Sequence, residues 1–128
     1  MGSARIAADL RLLRAATPAD TEAATRRLLA SDPAIDAVIC APDGASPVAL
    51  RAAAALGRTV GADLLVASCV DGVANRGASP PVTAVDLRPA AYRRACAELL
   101  CDILAARTPP DTVRRHACAL ETRPSTAG

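Results

Sequence analysis

The stretch "AVICAPDG", residues 37–44, sets an apolar run directly against turn chemistry. Ala37 to Ala41 has the length and the Val/Ile content of a strand buried on both faces. Pro42, Asp43 and Gly44 then stop it. Proline presets a turn backbone, aspartate bonds its own backbone, and glycine takes left-handed angles without strain. In an open parallel sheet, ligands sit just beyond the carboxyl ends of strands. Asp43 is therefore either a binding group or a turn former, and this one turn does not separate the two readings.

The segments on either side read as helices. "TPADTEAATRRLLA" offers Thr17 as a cap, Pro18 in the first turn and Asp20 where a capping box places its acceptor. "SDP" at 31–33 ends it. "SPVALRAAAALG" is a second helix, with Ser46 as cap, Pro47 at its first position and Gly57 as stop. "DLRLLRAA", before Pro18, fits neither period cleanly. It is read as a strand, because the helix after it then completes a βαβ unit.

"DLLVASCV" is a second buried strand, "DGVANRGASPP" a loop and "VTAVDL" a third strand. A final strand is expected at about residues 113–120. The longest periodic segment is "RPAAYRRACAELLCDILAAR". Its apolar residues Tyr92, Ala95, Cys96, Leu99, Leu100, Ile103 and Leu104 form the i, i+3, i+4, i+7 stripe of an amphipathic helix. Arg94, Glu98 and Asp102 take the other face, with Arg94 and Glu98 at pairing distance.

Strands alternating with helices imply an α/β fold, a parallel sheet with flanking helices. The strands at 37–41 and 64–70 are each followed by an Asp-Gly pair, Asp43-Gly44 and Asp71-Gly72. Carboxyl ends of neighbouring parallel strands share one edge. Asp43 and Asp71 can therefore converge on one ligand.

Composition narrows the classes. The 128 residues are 52% hydrophobic, which fits one folded domain with a real core. No apolar run approaches the ~20 residues that cross a membrane. "MGSARIAADLRLL" has neither a long apolar core nor a cleavage site, so a cytoplasmic location is expected. The net charge of +2 is too small to mark a nucleic-acid surface. All 15 basic residues are arginines, and they are scattered. Tyr92 is the only aromatic residue other than His116, which argues against stacking on sugars or bases.

Cysteines stand at 40, 69, 96, 101 and 118, with no CxxC pair. Neither a metal site nor a cofactor is expected. The cysteines are read mostly as core thiols in a reducing compartment. His116 lies in the alternating "TVRRHACALE" and is read as a solvent-facing strand residue. Paired with Cys69 or Cys118 it would make a nucleophilic site, and the chain a small cysteine hydrolase.

Three blocks in order carry a resemblance. "DAVICAPDGASPVALRAAAALG", "RTVGADLLVASCVDG" and "PPVTAVDLRPAAYRRACAELLCDILAARTPP" resemble the effector-binding region of LacI/GalR-family bacterial transcription regulators. The tail "ALETRPST" is similar to that family's closing strand. The likeness spans about residues 17–126. It implies one lobe of a periplasmic-binding-protein-like sensor, with ligand held in a cleft between two lobes. Residues 4–88 and 112–126 would form the C-terminal lobe, and residues 89–107 the long helix that packs on the first lobe. The resemblance also implies a chain truncated at its N-terminus.

By position, Asp71 matches the family's acidic residue that hydrogen-bonds ligand hydroxyls. Asp43 matches the aspartate of its Asn-Asp turn, and Pro42 stands in place of that asparagine. Cys69 occupies the place of a glycine and Val70 that of an aromatic residue. The implied function is ligand sensing in a transcription regulator, not catalysis. The implied partners are a sugar or nucleoside effector, a second copy as homodimer, and operator DNA only through an N-terminal helix-turn-helix, which the resemblance implies is absent from this truncated form. The alternative is a solute-binding protein of a sugar transporter, which shares the fold.

Overall fold

The computed structural model describes residues 17–127. The strand read into "DLRLLRAA" lies outside the described residues. The first helix, α1 (Pro18–Ser31), begins as its capping chemistry dictates. Thr17 Oγ1 accepts from the Asp20 amide at 3.1 Å and donates to Asp20 Oδ2 at 2.7 Å. There follow β1 (Ala37–Cys40), α2 (Ala45–Ala55), β2 (Leu65–Ser68), the single turn α3 (Val73–Arg76), β3 (Thr83–Asp86), α4 (Pro89–Leu104) and β4 (Ala119–Glu121).

The strands lie in the order β1-β2-β3-β4. β1 pairs with β2 and β2 with β3, both parallel, with Cys40 opposite Ser68 and Ser68 opposite Ala84. This is the α/β sheet expected from alternating strands and helices. β4 runs antiparallel to β3.

The core forms where α1 and α2 meet one face of the sheet. Leu29, Cys40, Ala49, Leu50, Ala53, Leu64, Val66 and Val82 are buried there together. Full burial of a Leu or Val side chain is worth roughly 1.5–3 kcal/mol. The alanines of α2 let its backbone approach closely, and Ala52 and Ala53 are completely buried. Gly57, at φ 70°, ends α2, with the Gly57 and Arg58 amides returning to the Ala54 and Ala53 carbonyls.

Four details depart from the sequence reading. Ser46 does not cap α2. Gly44 takes the cap position in a left-handed conformation, so Ser46 falls inside the first turn, fully buried against the Cys40 thiol. β1 is buried on one face only: Ile39 is 71% exposed, because the described helices α1 and α2 cover the other side of the sheet.

The third departure is the last strand, which pairs over three residues rather than from residue 113. β3 ends at Asp86, whose Oδ1 accepts from the Arg88 amide at 2.7 Å as the chain turns into α4. Residues before Ala119 therefore have no strand to pair with. His116 is consequently not a strand residue. The fourth concerns the cysteines: only Cys40 is buried. Cys96 and Cys101 ride on α4, which buries none of its residues, and Cys69 and Cys118 lie just outside β2 and β4.

No helix among the described residues is long and apolar enough to cross a membrane.

Candidate ligand-binding site

β1 stops at Cys40, and α2 begins five residues later. The intervening turn needs Gly44 at φ 77°, a conformation that L side chains rarely adopt. The turn holds Asp43 at the carboxyl edge of the sheet, exposed and with neither a hydrogen bond nor an ion pair to another described residue. Pro42 is exposed beside it and offers no polar side-chain atom.

β2 ends at Ser68, and its chain stays tied to both neighbours. The Cys69 amide donates to the Cys40 carbonyl and the Asp71 amide to the Val85 carbonyl, each at 2.9 Å. Asp71 thus sits at the same edge as Asp43. Contact between the two strand ends is direct: a Cβ placed on Gly72 would collide with the Asp43 carboxylate. The two Asp-Gly turns read from the sequence do come together, with Gly72 as the point of approach.

The environments of the two carboxylates differ sharply. Asp71 is 8% exposed and accepts from two arginines. Arg123 grips it through Nη1–Oδ1 at 2.7 Å and Nη2–Oδ2 at 3.0 Å, and Arg76 Nη1 reaches Oδ2 at 2.9 Å. The Arg123 guanidinium, followed by that of Arg76, holds the Asp71 carboxyl below the usual carboxylate range, against the opposing effect of burial.

Arg123 is itself fixed from behind. Its Nη1 also donates to the Val82 carbonyl at 2.7 Å, and its amide to Thr83 Oγ1 at 2.8 Å. Ser125, fully buried, accepts from the Thr83 amide at 2.8 Å and donates to the Val66 carbonyl at 2.6 Å. The segment after β4 is therefore built into the sheet behind the site. Arg76 stands on α3, which is anchored by Asn75: Nδ2 donates to the Val70 carbonyl at 2.6 Å, and the Val82 amide donates to the Asn75 carbonyl at 2.9 Å.

Arg76 and Arg123 are the residues that sequence reading missed. Arg76 lay in a stretch read only as loop. Arg123 lies 52 residues from its partner, beyond any local pattern.

His116 is placed elsewhere. Its Nε2 lies 3.1 Å from the Leu87 carbonyl, and its ring meets Tyr92 edge-on at 5.4 Å. It makes no hydrogen bond with Cys69 or Cys118, so the pairing a cysteine hydrolase requires is not formed. No three His, Cys, Asp or Glu side chains among the described residues gather closely enough to hold a metal ion. A groove along α4, lined by Arg94, Glu98, Cys101, Asp102, Arg107 and Arg114, shares no residue with the sheet edge.

Comparison with known proteins agrees with this architecture. A family model described as the periplasmic binding protein-like domain matches residues 3–126. No curated protein matches the chain in sequence. Among solved structures, the cellobiose complex of the transcriptional regulator CelR is similar at 33% identity and a TM-score of 0.75. The match covers 85% of this chain and 33% of that one.

A LacI family transcriptional regulator from Bifidobacterium animalis subsp. lactis is similar at 30% identity and a TM-score of 0.79, covering 87% of this chain and 41% of that one. A third, from Arthrobacter sp. in complex with lactose, shares the fold at 24% identity and a TM-score of 0.75, with 86% and 41% covered. The chain thus spans 33–41% of the length of these regulators. It belongs to the periplasmic binding protein-like domain family, in the form carried by LacI-family transcriptional regulators.

Proposed function

We propose that this chain is the effector-binding region of a LacI/GalR-type transcription regulator. Its ligand, a small sugar or nucleoside, binds at the carboxyl edge of the sheet against Asp43, Asp71 and Pro42. The observation that carries this reading is the approach of the Asp43 carboxylate to Gly72, which brings two strand ends into one polar surface. The similarity to a regulator solved with cellobiose supports the sugar class.

In this reading residues 4–88 and 112–126 form the ligand lobe, and residues 89–107 serve a neighbouring part of the regulator. That α4 buries none of its residues supports the division. The regulator acts in the cytoplasm as a homodimer, and operator contacts belong to a separate DNA-binding region. Ligand shifts operator affinity only by binding two states of the regulator unequally.

The test is a two-dimensional amide NMR titration of the chain with cellobiose, lactose and adenosine. Perturbations should centre on residues 42–44 and 70–76, with millimolar or weaker affinity, about 4 kcal/mol. Gly72→Ala, whose methyl group would displace the Asp43 carboxylate, should weaken binding and leave the chain folded. Perturbations confined to other elements, or none at saturating sugar and nucleoside, would reject the reading.

A further inference from the structure

We propose that Arg76 is the ligand-facing donor of this edge, oriented by Asp71, and that with Asp43 it selects a polyol bearing a carboxylate or phosphate. This rests on the reading of the edge as a ligand site and names the ligand class.

Asp71 itself has little left to offer a ligand. It is 8% exposed, and both of its oxygens already accept from arginine. A hydroxyl approaching from solvent meets Arg76 first. Arg76 commits only Nη1, which donates to the Asp71 carbonyl at 3.1 Å and to Oδ2 at 2.9 Å. Its Nε and Nη2 bond to no described residue, and the side chain is 51% exposed. Those two N–H groups form one edge of the planar guanidinium, the geometry that grips a carboxylate or phosphate with two parallel hydrogen bonds.

Charge points the same way. Asp71 with Arg76 and Arg123 sums to one net positive charge, and Arg123 is 17% exposed, so the surplus is presented through Arg76. Asp43, exposed and without a described partner, is an acceptor suited to hydroxyls and repels a second anion. The Asp43 carboxylate lies against Gly72, the residue between Asp71 and the α3 turn that carries Arg76, so acceptor and cation share one edge. A ligand with an acidic group at one end and hydroxyls at the other satisfies both.

The base of Arg76 is rigid, because Asn75 ties α3 to the Val70 carbonyl and the Val82 amide. Asp71 is accordingly a positioning residue at this edge: both of its oxygens hold arginines, and it aims the guanidinium that meets the ligand's acidic group.

The experiment titrates the full chain with gluconate, glucose 6-phosphate, glucose and inorganic phosphate, followed by amide NMR. Gluconate or glucose 6-phosphate should bind about tenfold more tightly than glucose, the scale of one charge-assisted contact. Which of the two wins identifies the acidic group. Arg76→Gln should erase that preference, weakening gluconate and glucose 6-phosphate about tenfold more than it weakens glucose. Its amide spectrum should stay folded, since the side chain is half exposed.

Asp43→Asn should weaken gluconate, glucose 6-phosphate and glucose together while its amide spectrum away from residues 42–44 stays unchanged. The proposal fails if glucose matches the acids, or if Arg76→Gln leaves acid affinity unchanged. It also fails if inorganic phosphate competes as well as glucose 6-phosphate. In those cases neutral sugars perturbing residues 42–44 would still uphold the broader reading. Silence from all four probes overturns the anionic class, and silence extended to cellobiose, lactose and adenosine overturns the site itself.

Discussion

Arg123 holds the Asp71 carboxylate with both terminal nitrogens, at 2.7 and 3.0 Å, and so closes a loop of 52 residues between the end of β2 and the segment after β4. The pair joins the candidate site to the segment that follows β4. Both side chains are largely out of water, 8% and 17% exposed, so its contribution depends on each having the other.

That dependence gives a pH signature. The Arg123 guanidinium, with Arg76, holds Asp71 below the usual carboxylate range in the folded chain. The unfolded chain therefore takes up the proton first as pH falls. The stabilisation is complete above the ordinary carboxylate value and is lost as pH drops from there through the depressed folded value. Urea melts between pH 6 and pH 2.5 should show stability falling across this acidic window. In Asp71→Asn the fall should be shallower, and stability at pH 6 lower by about 1.5–3 kcal/mol, the range for a hydrogen bond to a charged group. An unchanged acid slope in the variant would show that Asp71 does not carry the effect.

Ser125→Ala tests the clamp behind the pair. Ser125 is fully buried, and its hydroxyl serves two backbone groups on different strands, the Thr83 amide and the Val66 carbonyl. Alanine fills nearly the same space but leaves a buried amide without an acceptor. The expected loss is about 1–3 kcal/mol in chemical denaturation, with native-like circular dichroism below the transition. A loss within about 0.5 kcal/mol, as for surface changes, would mean that water takes over the contacts.

Much of the fold was legible because its signals are local. Thr17, Pro18 and Asp20 mark the start of α1, Gly57 marks the end of α2, and the apolar runs at 37–40 and 65–68 mark adjacent parallel strands. From those strands the shared edge, and with it Asp43 and Asp71, followed by topology. What was not legible is non-local. Nothing near Asp71 announces Arg123. The full burial of Ser46 depends on Gly44 taking the cap position two residues earlier. The alternation in residues 113–118 reads as strand, yet β3 ends at Asp86 and leaves it nothing to pair with. Amphipathic periodicity in α4 was real, but periodicity says which face is apolar, not whether anything covers it.

The cysteines offer a chemical check on burial. Cys40 is buried in the core, and desolvation pushes its thiol up, which lowers the thiolate fraction that reacts. Cys69, Cys96, Cys101 and Cys118 are exposed. An aromatic disulfide reagent near neutral pH should modify four thiols in a fast phase and the fifth only with unfolding. Peptide mapping should place the slow site at Cys40. A fast reaction at Cys40 would contradict its packing against Ser46 and the core.

Leu100→Asp decides whether α4 belongs to the cooperative core. Leu100 is 57% exposed, and no residue of α4 is buried. If the core of α1, α2 and the sheet stands without this helix, an aspartate at position 100 keeps its hydration and costs little, within about 0.5 kcal/mol, as at ordinary surface sites. The same change in a packed core would bury an unpaired charge and unfold the chain. The described arrangement predicts the first outcome: an unshifted denaturant midpoint and retained helical circular dichroism. Leu50→Asp is the matched control, because Leu50 lies in the buried cluster beside Val66 and should not tolerate charge. Equal loss of structure in both variants would show that α4 contributes to the core in solution, and the helix would then have to be packed against the sheet.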